Sequence, residues 1–311
     1  MAVVLETGVR ALPVPARGDR ERGYWGEAWR HLRGDRVAMA GLALVVLLIA
    51  AGLFAPALAP YDPNEQFWEG LTEEGRPLPP GSSGFLLGTD ALGRDELSRV
   101  LYGAQISLAV GVGSNLFAAV IGIALGGVAG LARGRGEGAV MRAVDVVLSF
   151  PILLLAITLL AVTPPSAVTI VLIIGVSFGA YLARLVYGQV TSLREREFVL
   201  AARACGAGSG RILLRHIVPH VLPAALVFST LGVATAIQLE AALSYVGIGI
   251  RPPRASWGNM IAEGQTYILS APWLVLVPGL AIVLAMVGFS LLGDGLRDAL
   301  DPTLQGRGGR R

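Results

Sequence analysis

Six predominantly apolar runs alternate with polar, arginine-bearing stretches along the chain. Each is close to or above the ~20 residues an α-helix needs to cross a bilayer core. The first covers 37–59, and Pro60-Tyr61-Asp62-Pro63 stops it. The second covers 104–131 and carries Gly122, Gly126 and Gly130, a stripe of small residues at four-residue spacing that suits close helix packing. The third covers 143–162 and the fourth 167–188, joined by the turn Thr163-Pro164-Pro165-Ser166. The fifth covers 221–247 and the sixth 272–292. The pattern predicts an all-α polytopic membrane protein with six transmembrane helices.

Between these runs lie a Gly- and Pro-rich loop at 60–102, a short basic loop at 133–142 and a loop at 248–270 with Pro252, Pro253 and Trp257. A polar tail runs from 293. Residues 1–36 carry seven Arg and five acids. No early signal-peptide core appears, so they are expected to form a cytoplasmic tail. Tyr24, Trp25 and Trp29 predict a short helix beside the membrane surface. Near Asp95 a helix is expected to start at the outer surface and lead into the second run; Asp145 is expected to pair with Arg142.

The long Arg-rich interruption at 194–223 reads as two short helices. The first, about 195–205, is rich in helix formers and ends at Gly206 and Gly208. The second, about 210–218, has Ser209 as its N-cap and presents Arg211 and Arg215 on one face. Pro219 and Pro223 are expected to end it and to begin the fifth span.

Composition agrees with this picture. Of 311 residues, 54% are hydrophobic and 15% charged, and the net charge of +3 does not indicate a nucleic-acid partner. Mean hydropathy is +0.64. All 25 basic residues are arginine. With the N-terminus inside, 20 of them lie on the inner side and five outside. Both termini and the 194–223 segment are therefore expected in the cytoplasm, and the acidic first loop outside.

The absence of lysine removes the phosphate-binding Lys of a Walker A loop and the Lys of Schiff-base chemistry, so ATP hydrolysis and PLP catalysis are not expected here. The lone Cys205 excludes an internal disulfide. His216 and His220 have i, i+4 spacing but no third ligand near them, and no metal site is expected. No zinc-protease motif is present, and the chain is not expected to be an enzyme. Glu240, with Gln238 beside it, is the one acid well inside a span and a candidate for the translocation path; a packed carboxylate is the alternative.

The order Ala201-Ala202, three residues, Gly206, nine residues, His216-Ile217-Val218-Pro219 resembles the "EAA" loop of ATP-binding-cassette permeases. Leu200, His216 and Val218 stand where that pattern has Glu, Ile and Leu. Four further stretches resemble the dipeptide, oligopeptide and nickel importer permeases. They are Ala59-Pro60-Tyr61-Asp62-Pro63, residues 87–108 with Asp90, Arg94 and Asp95, residues 251–258, and residues 292–302. Within that family the chain looks like the second of two paired permeases, with a type I importer fold.

The resemblance implies a cytoplasmic tail at 1–36, a first helix and acidic extracytoplasmic loop at 37–102, a five-helix core at 103–296 and a second tail at 297–311. It implies that 194–219 docks a separate ATPase, with Ala201, Ala202, Arg203, Gly206, Arg211, Arg215 and Pro219 in the coupling element. It also implies a homologous permease partner, one or two cytoplasmic ATPases that hold ATP and magnesium, and an extracytoplasmic solute-binding protein. No cofactor is expected on this chain, and membrane lipid surrounds it. Peptides are the expected cargo. Nickel or another small solute in the same architecture is an alternative, and an ion-gradient-driven secondary carrier is the rival mechanism.

Overall fold

A computed structural model describes residues 24–301 except Ser83, Arg133 and Pro165, with Tyr24 described in its backbone alone. The expectations for 1–23, for 302–311 and for the side chain of Tyr24 lie outside the described residues. Twelve α-helices account for most of what is described: α1 Tyr24–Gly34, α2 Arg36–Leu53, α3 Ala55–Leu58, α4 Glu96–Leu131, α5 Arg135–Leu148, α6 Ile152–Val162, α7 Ala167–Leu193, α8 Glu197–Ala204, α9 Ser209–Ile212, α10 Val218–Tyr245, α11 Trp257–Gly264 and α12 Trp273–Leu300. Among the described residues there is no strand, only three isolated bridges within 71–95.

Five stretches are long and apolar enough to cross a membrane, and α5 with α6 supplies a sixth bent by 87°. The bend corrects the expected straight third span. Pro151 lacks an N–H and disfavours a helical Phe150, so the chain leaves the helix after Leu148 and restarts at Ile152.

Helices also run beyond the apolar stretches, because a helix outside the hydrocarbon core needs no apolar surface. The helix expected near Asp95 and the second span are one element, α4, whose N-cap Asp95 accepts from the Ser98 N–H at 2.8 Å. The division at 102/103 falls inside α4, and that at 296/297 inside α12. The 248–270 loop contains α11, which starts on a reciprocal capping box between Ser256 and Asn259.

The core is built on α4 against α7. The small-residue stripe of α4 sits on α7: a Cβ at Gly122 would lie 2.8 Å from the Cβ of Leu182, and one at Gly130 2.6 Å from the Cβ of Val190. Gly175 and Gly179 of α7 reciprocate against Phe117 and Ile121. Backbones approach this closely only where side chains are absent. α2 and α10 pack on α12, whose Phe289 joins Val45 and Val233 in one cluster. At the end carrying 194–217, called proximal, Leu32 of α1, Ala38 of α2 and Ala299 of α12 form one small buried cluster. The opposite, distal end carries 60–95 and α11.

Faces that meet nothing within the chain are apolar. Leu116 and Val120 of α4, Leu47 of α2 and Leu276 of α12 are exposed. In a spanning protein such faces meet lipid or another subunit.

Candidate functional site

The proximal loop begins where α7 ends. Arg194 donates from Nη1 to the carbonyls of Gly130 (2.9 Å) and Ala132 (3.2 Å), satisfying the C-terminus of α4 and tying the loop to it. Tyr187 donates to Glu137 and Arg184 pairs with Asp145, joining α7 to α5. Asp145 thus pairs across helices, not with Arg142 as expected from spacing alone.

α8 follows, and Gly206 at φ +82° turns the chain, a conformation open to glycine at little cost. The turn is closed by the Ala207 N–H donating to the Ala202 carbonyl at 3.0 Å. Gly208, not Ser209, is the N-cap of α9. Ser209 is the first helical residue.

The second short helix does not stop at Pro219. A π-turn at Leu213–Ile217, closed by the Val218 N–H on the Leu213 carbonyl, leads straight into α10. Pro219 then sits in the first turn, where no N–H is required, and Pro223 is carried inside the helix. One helical path, Ser209–Tyr245, therefore joins the loop to the membrane.

Val199, Ile212 and Ile217 are buried with Leu182, Val186 and Val221 and anchor the loop from below. Facing away from the bundle are Ala201, Arg203, Gly206, Arg211, Arg215 and Pro219, with Ala202 half-buried. They share that surface with the apolar Phe198, Leu200 and Leu214, the last 70% exposed. Phe198 also stacks on His220 at 5.0 Å, bracing α8 against α10. Leu200, at the position of the motif's carboxylate, adds apolar surface there instead. The expected coupling residues, Ala202 apart, are thus exposed within one continuous segment that also exposes apolar side chains.

At the distal end Glu240 is fully buried. Its carboxylate accepts from Ser107 (2.9 Å) on α4 and Ser244 (2.7 Å) on α10. Ser107 also accepts from the Trp257 N–H at 3.2 Å, and Ser244 from the Ile250 N–H at 3.0 Å. Glu240 therefore clamps α4, α10 and the stretch from Ile250 to the start of α11 through buried hydrogen bonds. Gln238, by contrast, is exposed on α10.

Asp90, Arg94 and Asp95 belong to a larger cluster. Arg94 Nε donates to Asp90 at 2.5 Å, and its Nη2 to Glu263 of α11 at 2.7 Å. Arg99, 1% exposed in its side chain, bridges the same two carboxylates at 3.4 and 2.9 Å. It also donates to the Pro63 carbonyl at 3.4 Å. Sequence reading missed Arg99, Glu96 and Glu263. Glu263 lies 164 residues from Arg99, so no local pattern could pair them. The cluster pins 60–99 to α11. Among the described residues no group of His, Cys, Asp and Glu is arranged to hold a metal ion.

Residues 122–306 match the family described as binding-protein-dependent transport system inner membrane component, and residues 23–80 match the N-terminal TM domain of oligopeptide transport permease C. The chain is 41% identical to the di/tripeptide transport system permease protein DppC of Pseudomonas aeruginosa, over 90% of this chain and 92% of that one. It is 39% identical to the oligopeptide transport system permease protein OppC of Bacillus subtilis, over 90% of each. It is also 39% identical to a glutathione transport system permease protein GsiD of Escherichia coli, over 97% of each.

The fold is similar to a chain of the methionine ABC transporter MetNI, solved in inward-facing conformations. The TM-score is 0.53 at 20% identity, covering 65% of this chain and 96% of that one. The helical core, the glycine-turned loop and these relatives together place the chain in the binding-protein-dependent transport system inner membrane component family, as a multi-pass permease subunit of an ATP-binding-cassette importer in the cytoplasmic membrane.

Proposed function

We propose that this chain forms half of a pathway that imports di- or oligopeptides, as the second of two homologous permeases. The observation that carries the cargo is the 41% identity over nine-tenths of the chain with a di/tripeptide permease. One or two cytoplasmic ATPases dock on the proximal loop, and an extracytoplasmic binding protein delivers peptide to the distal end. The arginine split supports a topology with both termini and the loop in the cytoplasm.

The loop acts as a lever. ATP-driven closure of the ATPases moves the surface of α8 and α9. Val199, Ile212 and Ile217 pass that motion to α7, Arg194 passes it to α4, and the π-turn passes it into α10. Access then alternates by rigid swinging of helices. The chain makes no covalent bond and holds no cofactor; ATP and magnesium belong to the ATPases. Gln238, exposed within the apolar run of α10, is the path residue of this reading, because a polar side chain facing lipid is costly.

Uptake of radiolabelled dialanine into cells with and without the gene tests the cargo. Loss of uptake in the deletion and recovery on complementation are expected. Unchanged dialanine uptake together with lost nickel uptake would overturn peptide import.

A further inference from the structure

The distal cluster borders a pocket of about 310 Å³ between the 90–99 segment, α11 and α12. Its two guanidiniums are committed: Arg94 to Asp90 and Glu263, Arg99 to the same carboxylates and Pro63. Glu96 also lines the pocket. It is 2% exposed, and its Oε1 has no hydrogen-bond partner. Asp95 beside it is fully buried and has an unpartnered Oδ1. Four carboxyls thus face two cations. A buried carboxyl oxygen without a donor is unfavourable, and a donor entering the pocket would relieve it. The remaining wall is apolar, from Pro252, Met260 and Leu274. Glu263, with 29% of its side chain exposed, leaves the rim open.

We propose that this pocket binds a primary ammonium group on a short apolar stem, with Glu96 as its acceptor. An ammonium offers three donors and a charge that offsets the excess acid. The stem lies on Met260 and Leu274. Such a group is carried by a free amine or peptide N-terminus, and equally by a lysine side chain of a docked protein.

The probe is n-butylammonium, titrated into the full-length chain in its purified assembly in lipid nanodiscs. Tryptophan fluorescence reports it, since Trp273 beside Leu274 donates to Thr89 of the same segment at 3.4 Å. Saturable binding is expected for butylammonium and not for butanol or butyrate. Glu96→Gln should weaken it at least tenfold. No saturable binding, equal binding of butanol, or unchanged affinity in Glu96→Gln overturns the proposal. The butylammonium–butanol comparison uses only the wild type, so it decides even if the variant does not accumulate. Competition by dialanine but not N-acetyl-dialanine assigns a free amine as occupant. Competition only by the extracytoplasmic binding protein assigns a lysine side chain.

Discussion

At Gly206 the loop depends on a single backbone angle. A Cβ there would meet nothing within 4 Å, so a substitution is penalised by conformation and not by collision. A β-branched residue at φ +82° is strained by about 1–3 kcal/mol or straightens the turn. Either change tilts α8 away from α9 while leaving the α4–α7 core untouched. Gly206→Val is therefore expected to reach normal membrane abundance, retain ATPase poorly and lose most uptake. Normal uptake at normal abundance would reduce the loop to a connector. This glycine was legible in the sequence, since a run of good helix formers ends at it. The partners of Glu240 were not, because Ser107 comes from a helix 133 residues earlier.

The helices themselves were legible where apolar length sets them, as in α2, α7 and α12. Their ends and bends were not, because those depend on backbone bonding that hydropathy does not register. Pro151 breaks a span at a residue with no hydropathy signal, whereas Pro219 breaks nothing because it falls in the first turn of α10, just after the π-turn, and Pro223 is carried inside that helix. The α4–α7 stripe gives the sharpest prediction for elements. A Cβ at Gly126 would meet Val186 Cβ at 2.8 Å and the Tyr187 nitrogen at 2.9 Å, so Leu there must push two backbones apart. Overpacking of this kind typically costs about 1–3 kcal/mol. Gly126→Leu should lower membrane abundance and raise protease sensitivity, unlike Gly206→Val. Wild-type abundance and protection in Gly126→Leu would mean that α4 and α7 are not in close contact.

For the whole molecule the central relation is between its two ends. The distal end is stiffened by the Arg94–Arg99–Glu263 cluster and the Glu240 clamp, whereas the proximal end exposes a surface held by buried anchors and one capping arginine. That asymmetry suits a lever at the proximal end, and it requires the two ends to lie on opposite sides of the membrane. In a Cys205→Ala background, a cysteine at the exposed Glu73 should react with an impermeant thiol reagent in intact cells, and one at the exposed Gly136 should not. The reverse pattern would invert the topology. The most direct measurement uses the native residue. Cys205 is exposed, the lone cysteine of the chain, and adjacent to the turn at Gly206. Charged with a short photoactivatable crosslinker in the intact assembly, it should give an adduct with the ATPase subunit whose yield changes between nucleotide-free and ATP-bound states. A Cys205 that forms no ATPase adduct in either state, while uptake remains normal, would contradict the assignment of this loop as the point where ATP hydrolysis drives transport.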